Sequence, residues 1–511
     1  MRKYICEGLA TYLAKDHKPW HMPGHKRKNF IEDIHEEADI DMAAFSGEAN
    51  EIGDWSLSID TILGLNASID VTEVPGTDDL HHPEEMILKS QQQLSEIYGT
   101  YASYYMVNGS TGGILSAIGA VADCGASGKK SHIIMARNCH KSVYNAVKLF
   151  GLEPIYMEPE YVNLGYDEVG CEDKTYQTNY NSYIYGAIKP QQVRELVEAN
   201  QDVVAVVITS PTYEGVLSDV EGIMKVLKPY NIPLVVDEAH GAHLPFVKEL
   251  PDSAVKLGAD IVVQSLHKTL PSLTQTALLH VNNEGLDKAV RKYLSIFMSS
   301  SPSYIMLCSM EQAVVGAWER KNRQQGYREY IINLKDFRDS LKTLKNIKLL
   351  GEAEELELAT DFQDGESFFA YDITRIVLYS EESGETLATM LRDIGNIEVE
   401  MSGTNYVVLI STYMDSSMDL EHLENVIKLA DEELNHRVSK NNPVGDKHLE
   451  QDLLSKEQLD KLVGTVAIEN IYVYPPGSYI VAAGEIISQA AVDKIIKLRD
   501  SGKRIVGLKG E

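Results

Sequence analysis

Between about residue 100 and residue 282 the chain repeats one rhythm. Short apolar runs stand at Tyr104–Val107, His132–Ala136, Pro154–Met157, Val203–Thr209, Pro233–Asp237, Ile261–Ser265 and Ala277–Val281. Several are continuous in Val and Ile rather than alternating, the pattern of strands covered on both faces. Helix-period segments lie between most of them, at Thr111–Val121, Ser142–Leu149, Pro190–Glu198 and Val220–Pro229. Strand, helix and strand in succession predict a mostly parallel sheet with right-handed crossovers. The stretch 160–189, rich in Tyr, Asn and Gly, interrupts the rhythm and reads as an extended surface excursion. Residues 304–350 read as helical, with one long polar helix from about Met310 to Leu344. A second α/β block follows at roughly 366–437, with strands expected at Arg375–Tyr379, Ile397–Met401 and Tyr406–Ile410, and 438–450 reads as a polar linker. The resulting division is an N-terminal segment at 1–75, a large domain at 76–325, a small α/β domain at 326–437 and a C-terminal domain at 438–511.

A chain of 511 residues has ample length for a large buried core. Its 47 Lys+Arg stand against 76 Asp+Glu, a formal charge of −29. Such a body repels phosphate backbones and anionic lipid, so neither nucleic acid nor a membrane is an expected partner, whereas small cations are attracted. Five scattered cysteines without a C-x-x-C pair argue against a disulfide framework or a Cys-based zinc site. No metal site is expected, no signal peptide or spanning segment is legible, and the expected location is the cytoplasm.

Ligands of open parallel sheets bind beyond the carboxyl ends of the strands, so the residues just past each run carry the chemistry. After Tyr104–Val107 comes Asn108-Gly-Ser-Thr-Gly-Gly113, which runs straight into a helix. Gly109, Ser110 and Thr111 there would form an anion cradle suited to phosphate. Neither G-x-G-x-x-G nor a Walker-type loop is present, which counts against dinucleotides and nucleoside triphosphates. After His132–Ala136 comes His140, placed where an imidazole could stack on a bound ring. Asp237 ends an apolar strand, where a carboxylate is costly to bury unless it meets a positive partner such as a protonated pyridine nitrogen. Lys268 lies just past Ile261–Ser265, beside Ser265 and His267; a partly desolvated lysine becomes nucleophilic and can form an imine. Met298-Ser-Ser-Ser-Pro-Ser-Tyr304 gathers hydroxyls around a proline. Taken singly these are a capped turn, a solvated histidine, a helix-capping Asp, a surface lysine and a helix start. Taken together they fit pyridoxal 5′-phosphate. The Gly/Ser/Thr turn, Ser265 and His267 would take the phosphate. His140 and Ala239 would cover the two ring faces, Asp237 would hold the ring nitrogen protonated, and Lys268 would form the imine.

The chain resembles the short bacterial Orn/Lys/Arg decarboxylases, of the aspartate aminotransferase-like (fold-type I) class of pyridoxal phosphate enzymes. The matching text is His21-Met-Pro-Gly-His-Lys26, Asp78-Asp-Leu-His81, Arg137 to Ser142, Asp237-Glu-Ala-His-Gly-Ala-His243, Ser265-Leu-His-Lys268, Ser299-Ser-Ser-Pro302 and Tyr474-Pro-Pro-Gly477. It spans about residues 18–485. The resemblance implies a large domain with a mostly parallel seven-stranded sheet, plus smaller α/β C-terminal domains. It implies α-decarboxylation of lysine, arginine or ornithine to a diamine or agmatine. Position by position it implies Lys268 as the imine lysine and Asp237 as partner of the ring nitrogen. His140 corresponds to the stacking histidine, and Ser110, Thr111, Ser265 and His267 to the phosphate ligands. His240 would sit beside the reacting carbon, where it or Lys268 could handle the proton. Ser299 matches a residue that reaches the phosphate of the neighbouring subunit, so a homodimer with its active site at the interface is expected. Large enterobacterial members carry an extra N-terminal domain that builds decamers; it is not seen in this sequence, and a decamer is less expected.

There are departures from the family pattern. Pro75-Gly-Thr-Asp-Asp-Leu-His81 replaces the usual P-L-D-D-L-H, Ala482-Ala-Gly-Glu485 replaces the usual P-G-E, and Gly112-Gly113 stand where hydroxyl-richer cradles occur. Asp78, Asp79 and Glu485 are candidates to meet the distal cation of a substrate. Two other readings stay open: an aminotransferase or aldolase-type lyase on the same fold, with Arg375 as the available carboxylate clamp though nothing marks it off from a surface arginine, and a catalytically silent binding relative.

Overall fold

The computed structural model describes residues 18–20, 73, 77–125, 131–164, 183–351, 369–438, 456–474, 478–500 and 504–508. The His21–Lys26 motif, Pro75-Gly76, the middle of the 160–189 excursion, most of the 438–450 linker and Pro475–Gly477 lie outside the described residues.

Seven strands make the main sheet: β1 (Ala102–Met106), β2 (His132–Ala136), β3 (Glu153–Met157), β4 (Val203–Thr209), β5 (Leu234–Asp237), β6 (Ile261–Ser265) and β7 (Ala277–Val281). Their order is β1-β7-β6-β5-β4-β2-β3. All neighbouring pairs are parallel except the two made by β7, which runs against both β6 and β1. The continuous apolar runs are the reason. β5, β6 and β7 are buried at every position, because helices cover both faces. Each enclosed Val or Ile contributes roughly 1.5–3 kcal/mol of burial free energy, so these strands have no competing exposed register.

The central helix α1 (Gly109–Gly125) starts directly after β1. It packs so closely on β6 that a Cβ at Gly113 would lie 2.8 Å from Val263 Cγ1. Gly113 is therefore glycine for packing, which explains why this cradle carries fewer hydroxyls. Gly109, at φ +69°, supplies the left-handed turn that ends β1 and starts the helix.

The expected long helix from Met310 to Leu344 is two helices, α2 (Tyr304–Asn322) and α3 (Arg328–Ser340). The break falls at Arg323-Gln-Gln-Gly-Tyr327, where Gly326 takes φ +42°; without a Cβ it turns the chain where an L residue would be strained. The expected strand Ile397–Met401 likewise divides into Ile397–Val399 and Met401–Ser402. A four-stranded sheet places Lys348–Leu349, Arg375–Tyr379, Tyr406–Ile410 and Met401–Ser402 side by side in that order. The ends of the 160–189 excursion pair as Tyr161–Asn163 with Tyr183–Tyr185. A three-stranded sheet of Ser478–Val481, Ile471–Tyr474 and Arg504–Val506 closes the chain around its own apolar cluster, including Leu459, Val492 and Ile495.

Candidate active site

β5 and β6 deliver the two residues that matter most. They are parallel neighbours with Val263 opposite Asp237. Asp237 is 3% exposed, and its Oδ1 accepts the Ala239 N–H at 3.2 Å. Burial raises its proton affinity, and the nearby Lys268 charge opposes that rise. Past Ser265 the chain makes a single helical turn, Leu266–Thr269, which swings Lys268 back across the strand ends. Lys268 Nζ lies 2.9 Å from His240 Nε2. Burial pushes the Lys268 amine toward its neutral form, Arg375 adds to that push, and Asp237 and Glu400 resist it. His240 is driven well below the usual imidazole range by burial, then by Lys268 and Arg375.

Around this pair the polar groups fall into two sets. The first is hydroxyls aimed at nothing. Ser265 is fully buried, yet its Oγ has no hydrogen-bond partner among the described residues, and the same holds for Thr269 Oγ1. Buried polar groups are nearly always paired, so a site with such orphans is built for an acceptor. Ser265 ends β6, next to Asp237 at the end of β5. The start of α1 follows β1 at the same end of the sheet. There the half-buried Ser110 and exposed Thr111 flank the free N–H groups of the helix terminus. A phosphate monoester is the ligand chemistry that orphan hydroxyls and a helix N-terminus fit together.

The second set is histidines with fixed tautomers. His140 caps the helix Lys141–Leu149, its Nδ1 accepting from Ser142 N at 3.3 Å, which leaves the proton on Nε2. Burial, with Lys268 and Lys141 adding, pushes His140 down to about 4. It is therefore a neutral flat ring at neutral pH, suited to stacking. His267 Nδ1 stands 3.0 Å from the Thr276 carbonyl; a carbonyl only accepts, so that nitrogen carries the proton and Nε2 is bare in the neutral ring.

The remaining expected residues take varied places. Ser299 is exposed; its N–H donates to Asn108 Oδ1 at 3.2 Å, beside Gly109 at the lip of the phosphate cradle. Asp78 is engaged by the backbone: Oδ1 accepts from Asp79 and Glu84, Oδ2 from Glu85 and Ile87, at 2.9–3.0 Å. It anchors the start of the helix Met86–Tyr98, and these four N–H donors hold its carboxyl below the usual range against the effect of burial. Asp79 accepts from His81 N at 2.8 Å and sits 3.1 Å from His82 Nδ1. Glu485 pairs with Arg137 at 2.9 Å and accepts the Ala482 N–H at 2.8 Å. Besides Asp237, the carboxylate whose charge reaches Lys268 is Glu400, which also acts on His267 and accepts the Tyr213 hydroxyl.

Arg375 calls for a correction. It is not a surface arginine: it is 0% exposed, opens its strand beneath His240, and donates from Nη2 to the His240 carbonyl at 2.8 Å.

The family model described as Orn/Lys/Arg decarboxylase, major domain, matches residues 5–374. The chain belongs to this Orn/Lys/Arg decarboxylase family. Among curated relatives, the uncharacterized protein YaaO of Bacillus subtilis is 30% identical over 98% of this chain and 94% of its own length. The arginine decarboxylase of the same organism is 28% identical over 98% of this chain and 95% of its own. Lysine decarboxylase A from Pseudomonas aeruginosa shares the fold, with a TM-score of 0.63 at 15% identity over 98% of this chain and 78% of that structure. The constitutive lysine decarboxylase of E. coli superposes with a TM-score of 0.61 at 19% identity, over 83% of this chain and 71% of its own.

Two residues of the site had no role expected from the sequence, Tyr213 and His243. Tyr213 had a signal: Ser210-Pro-Thr-Tyr213 directly follows β4 and stands at a strand end like the others. Its ring packs 4.5 Å from His240, centroid to centroid. His243 lies in the same motif as Asp237, but its partner Asp372 is remote in sequence, 3.2 Å from its Nε2.

Proposed function

We propose that the chain is a pyridoxal 5′-phosphate-dependent decarboxylase of a basic amino acid: lysine, arginine or ornithine. The observation that carries this reading is the half-buried Lys268 beside the buried His240, with Asp237 at the end of the adjacent strand and the orphan hydroxyl of Ser265 flanking them. A pyridoxal phosphate held there would supply the electron-poor ring that α-decarboxylation needs. The chain's own residues do the rest. Lys268 presents an amine already pushed toward its neutral, nucleophilic form. Asp237, at the strand end, would face a protonated ring nitrogen, whose positive charge would favour the carboxylate form that burial opposes. His140 and Ala239 offer the flat ring and the methyl that cover its two faces. Gly109, Ser110, Thr111, Ser265 and His267 take the phosphate, His267 as a donor from Nε2 only when protonated, a state that a phosphate dianion favours. His240 Nε2, 2.9 Å from Lys268 Nζ, and Lys268 itself are the groups that return a proton to the α-carbon. The negative field of the chain favours a substrate with a distal cation. The half-buried Glu400, which holds the Tyr213 hydroxyl, has a field that reaches Lys268 and is the candidate to meet that cation; Asp78 is taken up by backbone N–H groups and Glu485 by Arg137.

The aminotransferase reading needs an arginine free to hold the α-carboxylate. Arg375 is enclosed and bonded to His240, so it does not fill that role. A homodimer is proposed on the exposed position of Ser299 at the cradle lip, and a cytoplasmic location on the free thiols of Cys124, Cys139 and Cys308. The division into domains at 76–325, 326–437 and 438–511 is proposed on the separate sheets.

The test is incubation of the cofactor-loaded chain with carboxyl-labelled lysine, arginine and ornithine in turn. One of them should give labelled carbon dioxide and the matching amine in equal amounts. Keto acid without carbon dioxide would move the chain to the aminotransferases, and no turnover with any of the three would refute the substrate class.

A further inference from the structure

By residue volume Arg375 heads the fully buried side chains of the described residues. A guanidinium is never deprotonated inside a protein and has no acceptor, so every contact it makes tells which way a hydrogen bond points. Nη2 donates to the His240 carbonyl at 2.8 Å and lies 3.4 Å from His240 Nδ1. Nη1 donates to Thr374 Oγ1 at 3.4 Å and stands 3.9 Å from Asp372 Oδ2. Thr374 Oγ1 in turn donates to Asp372 Oδ1 at 2.7 Å, and the same carboxylate lies 3.2 Å from His243. Gly215 leaves room for the arginine stem: a Cβ there would come within 2.7 Å of Arg375 Cγ. The guanidinium is thus clamped from behind by Asp372 and Thr374 and directed forward onto His240.

With a permanent donor facing it, Nδ1 of His240 must be the acceptor, and the ring proton is on Nε2. Nε2–H then points at Lys268 Nζ across 2.9 Å, and such a bond forms only if the amine offers a lone pair. We propose that Arg375 is a positioning residue that locks His240 in its Nε2–H tautomer and so holds Lys268 as the free amine. This deepens the proposed function, resting on its reading of Lys268 as the nucleophile. The charged and titratable groups facing this pair are Asp237 from the end of β5, His267 beside Lys268, His140 from the turn after β2, Tyr213 packed at a tilt against His240 and bonded to Glu400, and Arg375 itself. Two of them, Asp237 and Glu400, favour the ammonium, and Arg375 opposes them both by its charge and through the histidine.

The experiment uses the full chain freed of cofactor. Lys268 is labelled with 1-fluoro-2,4-dinitrobenzene over a range of pH, and its peptide is quantified by mass spectrometry. In the unaltered chain the labelling midpoint of Lys268 should fall below that of the exposed lysines. Arg375→Met should raise the midpoint by about one pH unit or more, lowering reactivity at neutral pH about tenfold, while Arg375→Lys keeps most of the original behaviour. A His240→Phe background separates positioning from simple charge. If Arg375 acts through the imidazole, the second substitution moves the midpoint much less there than in the unaltered chain. A midpoint unmoved in a cooperatively melting Arg375→Met chain overturns the proposal, as does an equal shift with and without His240. Should the methionine variant not fold, His240→Phe decides: its midpoint must rise, and an unmoved one rejects the proposal. The labelling involves neither cofactor nor turnover, so its failure is distinct from a failure to decarboxylate.

Discussion

Replacing Ser265 by alanine should have opposite effects on the empty and the loaded chain. Ser265 is fully enclosed, and its Oγ has no hydrogen-bond partner among the described residues. An unsatisfied buried hydroxyl costs about 1–3 kcal/mol relative to a paired one, so removing it relieves the cofactor-free chain of part of that penalty. The lost oxygen leaves a gap smaller than a methyl group, a minor packing loss. The net expectation for the cofactor-free chain is a change between zero and roughly 1–2 kcal/mol in the stabilising direction. With a phosphate bound the same hydroxyl makes a charge-assisted bond worth about 1.5–3 kcal/mol. Its loss should weaken cofactor binding by roughly 10- to 150-fold. Thermal melts with and without pyridoxal phosphate, together with an absorbance titration of the cofactor, read both quantities. The melting temperature of Ser265→Ala should be equal or higher without cofactor and lower with it. A chain that loses stability in the empty state and binds cofactor as before would refute the assignment of Ser265 to the phosphate.

Other consequences follow from the same geometry. Gly113→Val must push against Val263, which a Cβ would already approach to 2.8 Å; overpacking of this kind costs about 1–3 kcal/mol, visible as a lower urea midpoint, and it should also weaken cofactor binding by displacing the start of α1. Asp237→Asn should leave the urea midpoint unchanged or higher, because it removes a charge from a fully buried position, while cutting the decarboxylation rate by at least about a hundredfold. His140 has its folded value pushed from 6.5 down to about 4, so the fold favours its neutral form. That contribution is complete above pH 6.5 and is lost as the pH falls toward 4, by roughly 3 kcal/mol in full. The drop in melting temperature over this interval should therefore be smaller in His140→Phe, and an identical drop would show that the imidazole is not sheltered as described.

The legible part of the molecule was the part where one physical cause dominates. Continuous Val and Ile runs can only be strands enclosed on both sides, so His132–Ala136, Val203–Thr209, Ile261–Ser265 and Ala277–Val281 emerge with the expected bounds. Because ligand chemistry gathers at strand ends, Asp237, Ser265 and Lys268 could be singled out before any geometry was known. What stayed hidden depends on contacts between distant segments. A lone arginine at the head of an apolar strand looks like any strand-end cation until Asp372, Thr374 and His240 are seen to surround it. The two acids at 78 and 79 look like a substrate lure until the backbone of residues 84–87 is found on one of them. The break between α2 and α3 was obscured because a polar helical stretch shows no apolar stripe whose interruption would mark the turn, and Gly326 was its sole local sign.

The central claim is that the amine at position 268 is where the cofactor becomes attached. Borohydride reduction of the purified, cofactor-loaded chain, followed by peptide mapping, tests it most directly. The account predicts one reduced pyridoxyl group per chain, on Lys268, with loss of the visible chromophore and its absence from Lys268→Ala. A label on another lysine, or none in a chain that still releases carbon dioxide from a basic amino acid, would contradict it.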